Sequence, residues 1–395
     1  MINVFQPTLG EEELAALRDV FADNWLGHGP RTKAFEEAFA GHLGVRPEQL
    51  LFINSATAGL FLSVQLAGLG PDDDVVLPSA SFVSAANAIA STGARPVFCD
   101  VDPRTLNPSV DDIRRAWTPR TKAVVILHYG GYPGEARQIA DLCRERGALL
   151  IEDAACAVAS RSDGQAAGTF GDLAVWSFDS MKVLVTGDGG MLYVRDPERA
   201  EQARRLAYHG LERPSSFGAA KVSHRWWEMQ VREHGQRVLG NDMTAALGLV
   251  QLGRLPEFVR TRRRHAEQYD KLLADVPGLR LPPPLPEGHE TSYYFYWVQV
   301  DPALRDRLAA ELLERGIYTT FRYPPLHRVP VYKSDHLRLP ATDEASESTL
   351  LLPLHHGLTP DDVETVAAAL RDVLRQLTGS AGHAGTDDRL PAATA

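Results

Sequence analysis

Short, wholly apolar runs alternate with longer segments of helical spacing through the first half of the chain. Leu51-Phe52-Ile53, Val75-Val76-Leu77, Pro96-Val97-Phe98, Ala123 to Leu127, Ala148 to Ile151 and Ala174 to Phe178 read as buried strands. Helices are predicted over 11–22, 31–43, 83–90 and 134–146, and from Asn54-Ser55-Ala56-Thr57 to about Leu66. Gly27-His28-Gly29-Pro30 breaks the chain between the first two. Strands alternating with helices imply an α/β fold, a mostly parallel sheet covered on both faces, and sites in such sheets form beyond the carboxyl ends of the strands. Gly190 to Val194 is expected to return as a strand beside 174–178.

Beyond residue 200 the pattern changes. Residues 212–236 have no clear period and contain Trp226-Trp227, which suggests a lid or a dimer arm. Asn241 is placed to cap a helix through Ala245-Ala246-Leu247-Gly248, and a second, long helix near 254–274 is expected to bridge two domains. Residues 291–376 read as a second α+β unit, with a strand at 293–300 and helices at 303–315 and 360–377. The domains are therefore expected at 1–250 and 251–378. A small, polar tail follows at 379–395, expected to be disordered.

Composition narrows the class. A net charge of −10 argues against a broad nucleic-acid footprint. Cys99, Cys143 and Cys156 are widely spaced, which argues against a disulfide framework or a zinc site and suits a reducing cytoplasm. Neither a signal peptide nor an apolar run of membrane-spanning length is visible.

The chain has 41 Lys+Arg, of which six are lysines, so arginine fills most cationic positions. Lys182, just ahead of Thr186-Gly187-Asp188-Gly189-Gly190, stands where a lysine does what arginine cannot: lose a proton and form a Schiff base. Two further strand ends carry candidate groups. Ser55-Ala56-Thr57-Ala58 opens a helix whose amides and dipole suit a phosphate, and Asp153 ends a buried strand. A lysine for an imine, an acid for a protonated ring nitrogen, and Ser177 with Thr57 for a phosphate together point to pyridoxal phosphate, with Phe82 placed to stack on the ring. Taken singly, each also reads as ordinary structure: a surface lysine, two helix caps, a core aromatic.

Eight ordered motifs raise that reading to a family resemblance. They are Trp25-Leu26-Gly27-His28-Gly29-Pro30, Ser55-Ala56-Thr57-Ala58-Gly59, Gly93 to Phe98, Thr118 to Ala123, Ile151-Glu152-Asp153-Ala154-Ala155, Gly168-Thr169-Phe170-Gly171-Asp172, Ser177-Phe178 with Lys182, and Tyr323-Pro324-Pro325-Leu326-His327. Over roughly residues 2–376 the chain resembles the sugar-nucleotide aminotransferases of the DegT/DnrJ/StrS type, which have the fold-type I architecture of pyridoxal phosphate enzymes. The resemblance implies Lys182 as the imine-forming lysine and acid/base, and Asp153 at the ring nitrogen. It implies Ala56, Thr57, Ala58 and Ser177 around the phosphate, Phe82 on the ring face, and Arg237 reaching the phosphate from the partner in a homodimer. Cys156 stands where the family usually has Gln or His near the cofactor's phenolic oxygen, and a thiol is a weaker hydrogen-bond partner. Asp179 replaces a common His, and Asp188 a common Glu.

The implied reaction moves an amino group from L-glutamate to a nucleotide-linked keto sugar, in two half-reactions. Arg213, Lys221, His224, Arg225, Arg322 and His327 are candidates for the diphosphate, and Trp25 and Tyr323 for the sugar or base. The Trp25 and Tyr323 regions look most like enzymes acting at C4 of dTDP-4-keto-6-deoxyglucose. Amination at C3, a cyclitol or aminohydroxybenzoate-type substrate, a pyridoxamine-dependent dehydratase and a non-catalytic sensor remain as alternatives. The dehydratase branch replaces the lysine with histidine, whereas this chain retains Lys182.

Overall fold

The computed structural model describes residues 1–213, 224, 225, 227–334 and 336–380. In chain order the elements are α1 (Glu11–Ala22), α2 (Pro30–Leu43), β1 (Leu50–Ile53), α3 (Ala56–Leu66), β2 (Asp74–Pro78), α4 (Val83–Ser91), β3 (Arg95–Cys99), α5 (Val110–Ala116), β4 (Thr121–Leu127), α6 (Ala136–Glu145) and β5 (Leu149–Asp153). There follow β6 (Arg161–Ser162), β7 (Gln165–Ala166), β8 (Leu173–Ser177), β9 (Gly190–Val194), α7 (Pro197–Leu206), β10 (Leu211–Arg213), β11 (Gln230–Val231) and α8 (Asp242–Leu273). The last are β12 (His289–Glu290), β13 (Tyr296–Gln299), α9 (Pro302–Glu314), α10 (Pro340–Ser348), β14 (Thr349–Leu352) and α11 (Pro360–Ser380).

A seven-stranded sheet runs β1-β9-β8-β5-β4-β2-β3. From β8 to β3 every pairing is parallel, while β9 is antiparallel to both its neighbours. All strands but β9 therefore point the same way, and their carboxyl ends share one edge.

Alternate residues of each strand enter different cores. On β8, Ala174 and Trp176 join the core with α2 and α8, while Leu173 and Val175 join the one with α3, α4 and α7. Such two-faced burial explains why these strands read as unbroken apolar runs. Gly190 opens β9 opposite both Ile53 and Ser177; a Cβ there would lie 2.6 Å from the Ala56 nitrogen and 2.9 Å from the Trp176 carbonyl. Glycine is what lets the start of α3 approach the sheet so closely.

A third core joins the last part of α8 (Ala266, Tyr269, Leu273) to the β13–β14 pair, α9 and α11. The sequence suggested two helices around 245–274; there is one, unbroken from Asp242 to Leu273 and crossing position 250, with Pro256 inside it. A proline within a helix costs about 3 kcal/mol. Here Leu255 and Phe258 are buried in one core while Tyr269 and Leu273 are buried in another, so packing at both ends outweighs that cost. Asn241 does cap this helix, accepting from the Thr244 N–H at 3.1 Å. Asp242, the first helical residue, accepts from the N–H groups of Thr32 (2.9 Å) and Arg31 (3.3 Å), and so ties α8 to the first turn of α2.

Helices α5, α7 and α10 and strand β14 were not read from the sequence. The stretch 212–236, read as irregular, carries a small β10–β11 ladder. Helix α11 reaches Ser380, past the expected end at 377, and the rest of the predicted tail, 381–395, lies outside the described residues. Among the described residues no helix is long and apolar enough to cross a membrane. All three cysteines are free and buried.

Candidate active site

A cavity of about 280 Å³ opens at the shared strand edge, lined by residues from five strand ends and two loops. Ser55, Ala56 and Thr57 come from beyond β1, Phe82 from beyond β2, Leu127 from the end of β4, Asp153 from the end of β5 and Ser177 from the end of β8. Lys182, Asp179, Met181 and Asp188 come from the connection between β8 and β9, and Arg322 and Tyr323 from the segment after α9.

Lys182 is half-buried in the cavity wall, its ammonium 4.6 Å above the centre of the Tyr294 ring. Burial pulls its pKa down, but Cys156, Tyr294 and Asp153 around it more than offset this and hold it above the ordinary lysine range. Asp153 is buried, and one carboxylate oxygen accepts from the Ala155 N–H at 3.0 Å. Burial raises its pKa, opposed by that hydrogen bond and by the neighbouring Lys182 and His128. Burial also pushes up the Cys156 thiol and the Tyr323 and Tyr294 phenols.

At the other end, Ser55 Oγ caps α3 by accepting from the Ala58 N–H at 3.2 Å. That amide is thus engaged by the cap, and Ala58 stands behind the cavity wall, leaving Ala56 and Thr57 to face it. Thr57 Oγ1 lies 3.1 Å from Ser84 Oγ. Phe82 is 44% exposed at the mouth, its ring 5.3 Å from that of Tyr323. The Tyr323 hydroxyl lies 4.0 Å from Cys156 Sγ, so the thiol's neighbour is a phenol. Arg322 lies along Met181, with Nη2 3.5 Å from its sulfur, and over the Phe5 ring at 4.9 Å.

The remaining predicted residues stand elsewhere. His327 is buried, with Nδ1 2.7 Å from Ser79 Oγ and Nε2 3.3 Å from Asp343; both ring nitrogens serve the fold, and it does not line the cavity. Trp25 is exposed, donates to the His28 carbonyl at 3.1 Å, and lines a separate cleft with Arg31 and Asp242. Arg225 is exposed and paired with Glu228 at 2.8 Å, and His224 beside it is also exposed. Arg237 is exposed, 5.6 Å above the Tyr208 ring and away from this chain's own cavity. Arg213 pairs through its backbone with Gln230, while Lys221 lies outside the described residues.

Sequence reasoning missed Tyr294, Met181 and Ser84. Tyr294 was hidden inside the aromatic run Tyr293-Tyr294-Phe295-Tyr296-Trp297, which reads as an ordinary strand. It also passed over His128, whose only signal was its place directly after an apolar strand.

The donors suit pyridoxal phosphate: a helix N-terminus and hydroxyls for an anion at one end, a buried acid for a cationic ring nitrogen at the other, and a lysine between them. Known proteins agree. The chain is 66% identical over 367 residues to dTDP-4-dehydro-2,3,6-trideoxy-D-glucose 4-aminotransferase of Saccharopolyspora spinosa, covering 93% of this chain and 95% of that one. It superposes on the crystal structure of the aminotransferase TlmJ from Streptoalloteichus hindustanus with a TM-score of 0.91 and 60% identity, covering 95% of this chain and all of that one. The PLP form of the sugar aminotransferase Spr1654 from Streptococcus pneumoniae shares the fold, with a TM-score of 0.85 at 24% identity over 95% of this chain and 98% of that one. A profile of one family matches residues 7–371. The protein is a pyridoxal phosphate-dependent enzyme of fold-type I and belongs to the DegT/DnrJ/EryC1/StrS aminotransferase family.

Proposed function

We propose that this enzyme transfers an amino group from L-glutamate to C4 of a dTDP-linked 4-keto deoxyhexose. Lys182 carries the reading: a half-buried lysine with Asp153 and the start of α3 in one cavity. The substrate class follows from the Saccharopolyspora spinosa relative, whose name specifies a 2,3,6-trideoxy sugar aminated at C4.

When bound, pyridoxal phosphate supplies an electron-accepting ring and carries the amino group between the two substrates. Ser55, Thr57, Ser177 and the α3 N-terminus hold its phosphate, and Phe82 packs on the ring. The Asp153 carboxylate holds a proton on the ring nitrogen. Lys182 Nζ takes the proton from glutamate Cα and, in the second half-reaction, delivers one to the sugar carbon.

We further propose a homodimer in the cytoplasm, with Arg237 completing the partner's phosphate site. Phe21, Trp25 and Leu26 are exposed apolar side chains close together in the chain, which supports a face that a second copy would cover.

The test is the visible absorption of the purified enzyme before and after L-glutamate. A change on adding glutamate, reversed by a dTDP-4-keto sugar and absent in Lys182→Ala, is expected. Reversal by a 3-keto sugar alone would move the reaction to C3, and no response to any amino donor would rule out amino transfer.

A further inference from the structure

His128 stands directly beyond β4, and its N–H donates to the Asp153 carbonyl at 3.1 Å. Its side chain is 1% exposed and that of Glu152 is fully buried. Nε2 of the ring lies 2.7 Å from Glu152 Oε2, and Nδ1 lies 3.2 Å from the Pro133 carbonyl. A carbonyl accepts only, and so does an ionised carboxylate. Both Glu152 oxygens accept from backbone donors, Oε2 from the Gly168 N–H (2.8 Å) and Oε1 from the Gly171 N–H (2.5 Å). A neutral imidazole has one N–H, so one of its two nitrogens would face an acceptor lone pair to lone pair inside the protein, at a cost of the order of an unmade buried hydrogen bond. A ring with both protons satisfies every contact.

We propose that His128 is a positioning residue: it carries a buried positive charge, is held in place by Glu152, and keeps the Asp153 carboxylate ionised for the cofactor ring. This rests on the role of Asp153 proposed above. Burial favours neutral Asp153; the Ala155 hydrogen bond, then Lys182 and His128, oppose this. Once Lys182 is engaged with the cofactor its ammonium charge is no longer dependable, whereas His128 lies outside the cavity and keeps its charge throughout turnover. The other titratable groups bearing on this arrangement are Cys156, Tyr323 and, on the Glu152 side, Tyr193.

The test uses full-length, cofactor-free protein with ¹⁵N-labelled histidine and ¹³C-labelled aspartate carboxyls, followed by NMR at about pH 7. Both His128 nitrogens are expected to be protonated, with the Asp153 carboxyl carbon at its ionised position. In a Lys182→Ala background, which removes the competing ammonium, His128→Asn should shift that carbon upfield, towards the protonated form. Glu152→Gln should return His128 to a single ring proton. A bare ring nitrogen on His128 in the unsubstituted protein overturns the proposal. So does an unmoved Asp153 carbon in the folded double variant; if that variant does not fold, the unsubstituted ring and Glu152→Gln decide. Asp153→Asn separates the two claims: cofactor uptake with an unchanged spectrum would refute the role of Asp153 at the ring and leave the charge on His128 standing.

Discussion

Glu36 offers a test of the fold's electrostatics with a defined sign. It lies on α2, its carboxyl is buried, and Oε1 accepts from the Phe52 N–H at 2.7 Å. β1 is an edge strand, and this carboxyl meets an N–H that no neighbouring strand pairs. Burial, only partly opposed by the Phe52 hydrogen bond and by Arg204, lifts the Glu36 pKa from 4.5 to about 7. A carboxyl whose pKa is raised by folding binds its proton more tightly in the folded state. Its penalty is therefore absent below pH 4.5, grows as pH rises towards 7, and is constant above that. At about 1.4 kcal/mol per pH unit, the full penalty is ~3 kcal/mol.

Glu36→Gln keeps the acceptor for Phe52 and removes the ionisation. Urea unfolding of both cofactor-free proteins, at one protomer concentration, gives their stability difference at each pH. The variant should gain on the parent by up to ~3 kcal/mol between about pH 4.5 and pH 8. A difference that stays flat with pH would show that Glu36 ionises normally in the folded protein and would refute the reasoning.

Asp242→Ala removes an acceptor from the Thr32 and Arg31 amides and should cost roughly 2–4 kcal/mol in the same assay, with Asp242→Asn costing less. His355 is buried near Arg262, and burial followed by that charge lowers its pKa from 6.5 to about 4. Stability should fall as pH drops from 6.5 towards 4, since the unfolded chain takes up the proton first, and His355→Gln should flatten that decline. If Arg237 acts across the dimer, mixing inactive Lys182→Ala and Arg237→Ala subunits should restore activity, because one site in each mixed dimer then holds both residues; no recovery would place Arg237 elsewhere.

The strands and the lysine were legible because their signals are local. Ile151-Glu152-Asp153 and Trp176-Ser177 are apolar runs ending in polar groups, and the sheet puts those ends on one edge. The position of Tyr294 was not legible, because its approach to Lys182 depends on how the β13–β14 unit packs against the large sheet. The surroundings of His327 were not legible either: it lies in a family motif, but its nitrogens meet Ser79 and Asp343, which the fold brings to it. The single α8 was missed because Gly253 is a local breaker between the two predicted helices, and the cores at the ends of α8 that override it are not local.

The gathering of strand ends at one edge also bears on how the chain survives. Ser55 and Lys182 are more than a hundred positions apart, and Tyr323 is further still, yet all line one cavity. A ligand that touches all three joins loops whose closure is entropically costly in the open chain, as a cross-link would. At a free concentration a hundred times its dissociation constant, such a ligand adds about 2.7 kcal/mol to the folded state. Cofactor supply would thus set the lifetime of this protein as well as its rate: scarcity would expose the chain to proteolysis before catalysis ceased to be useful.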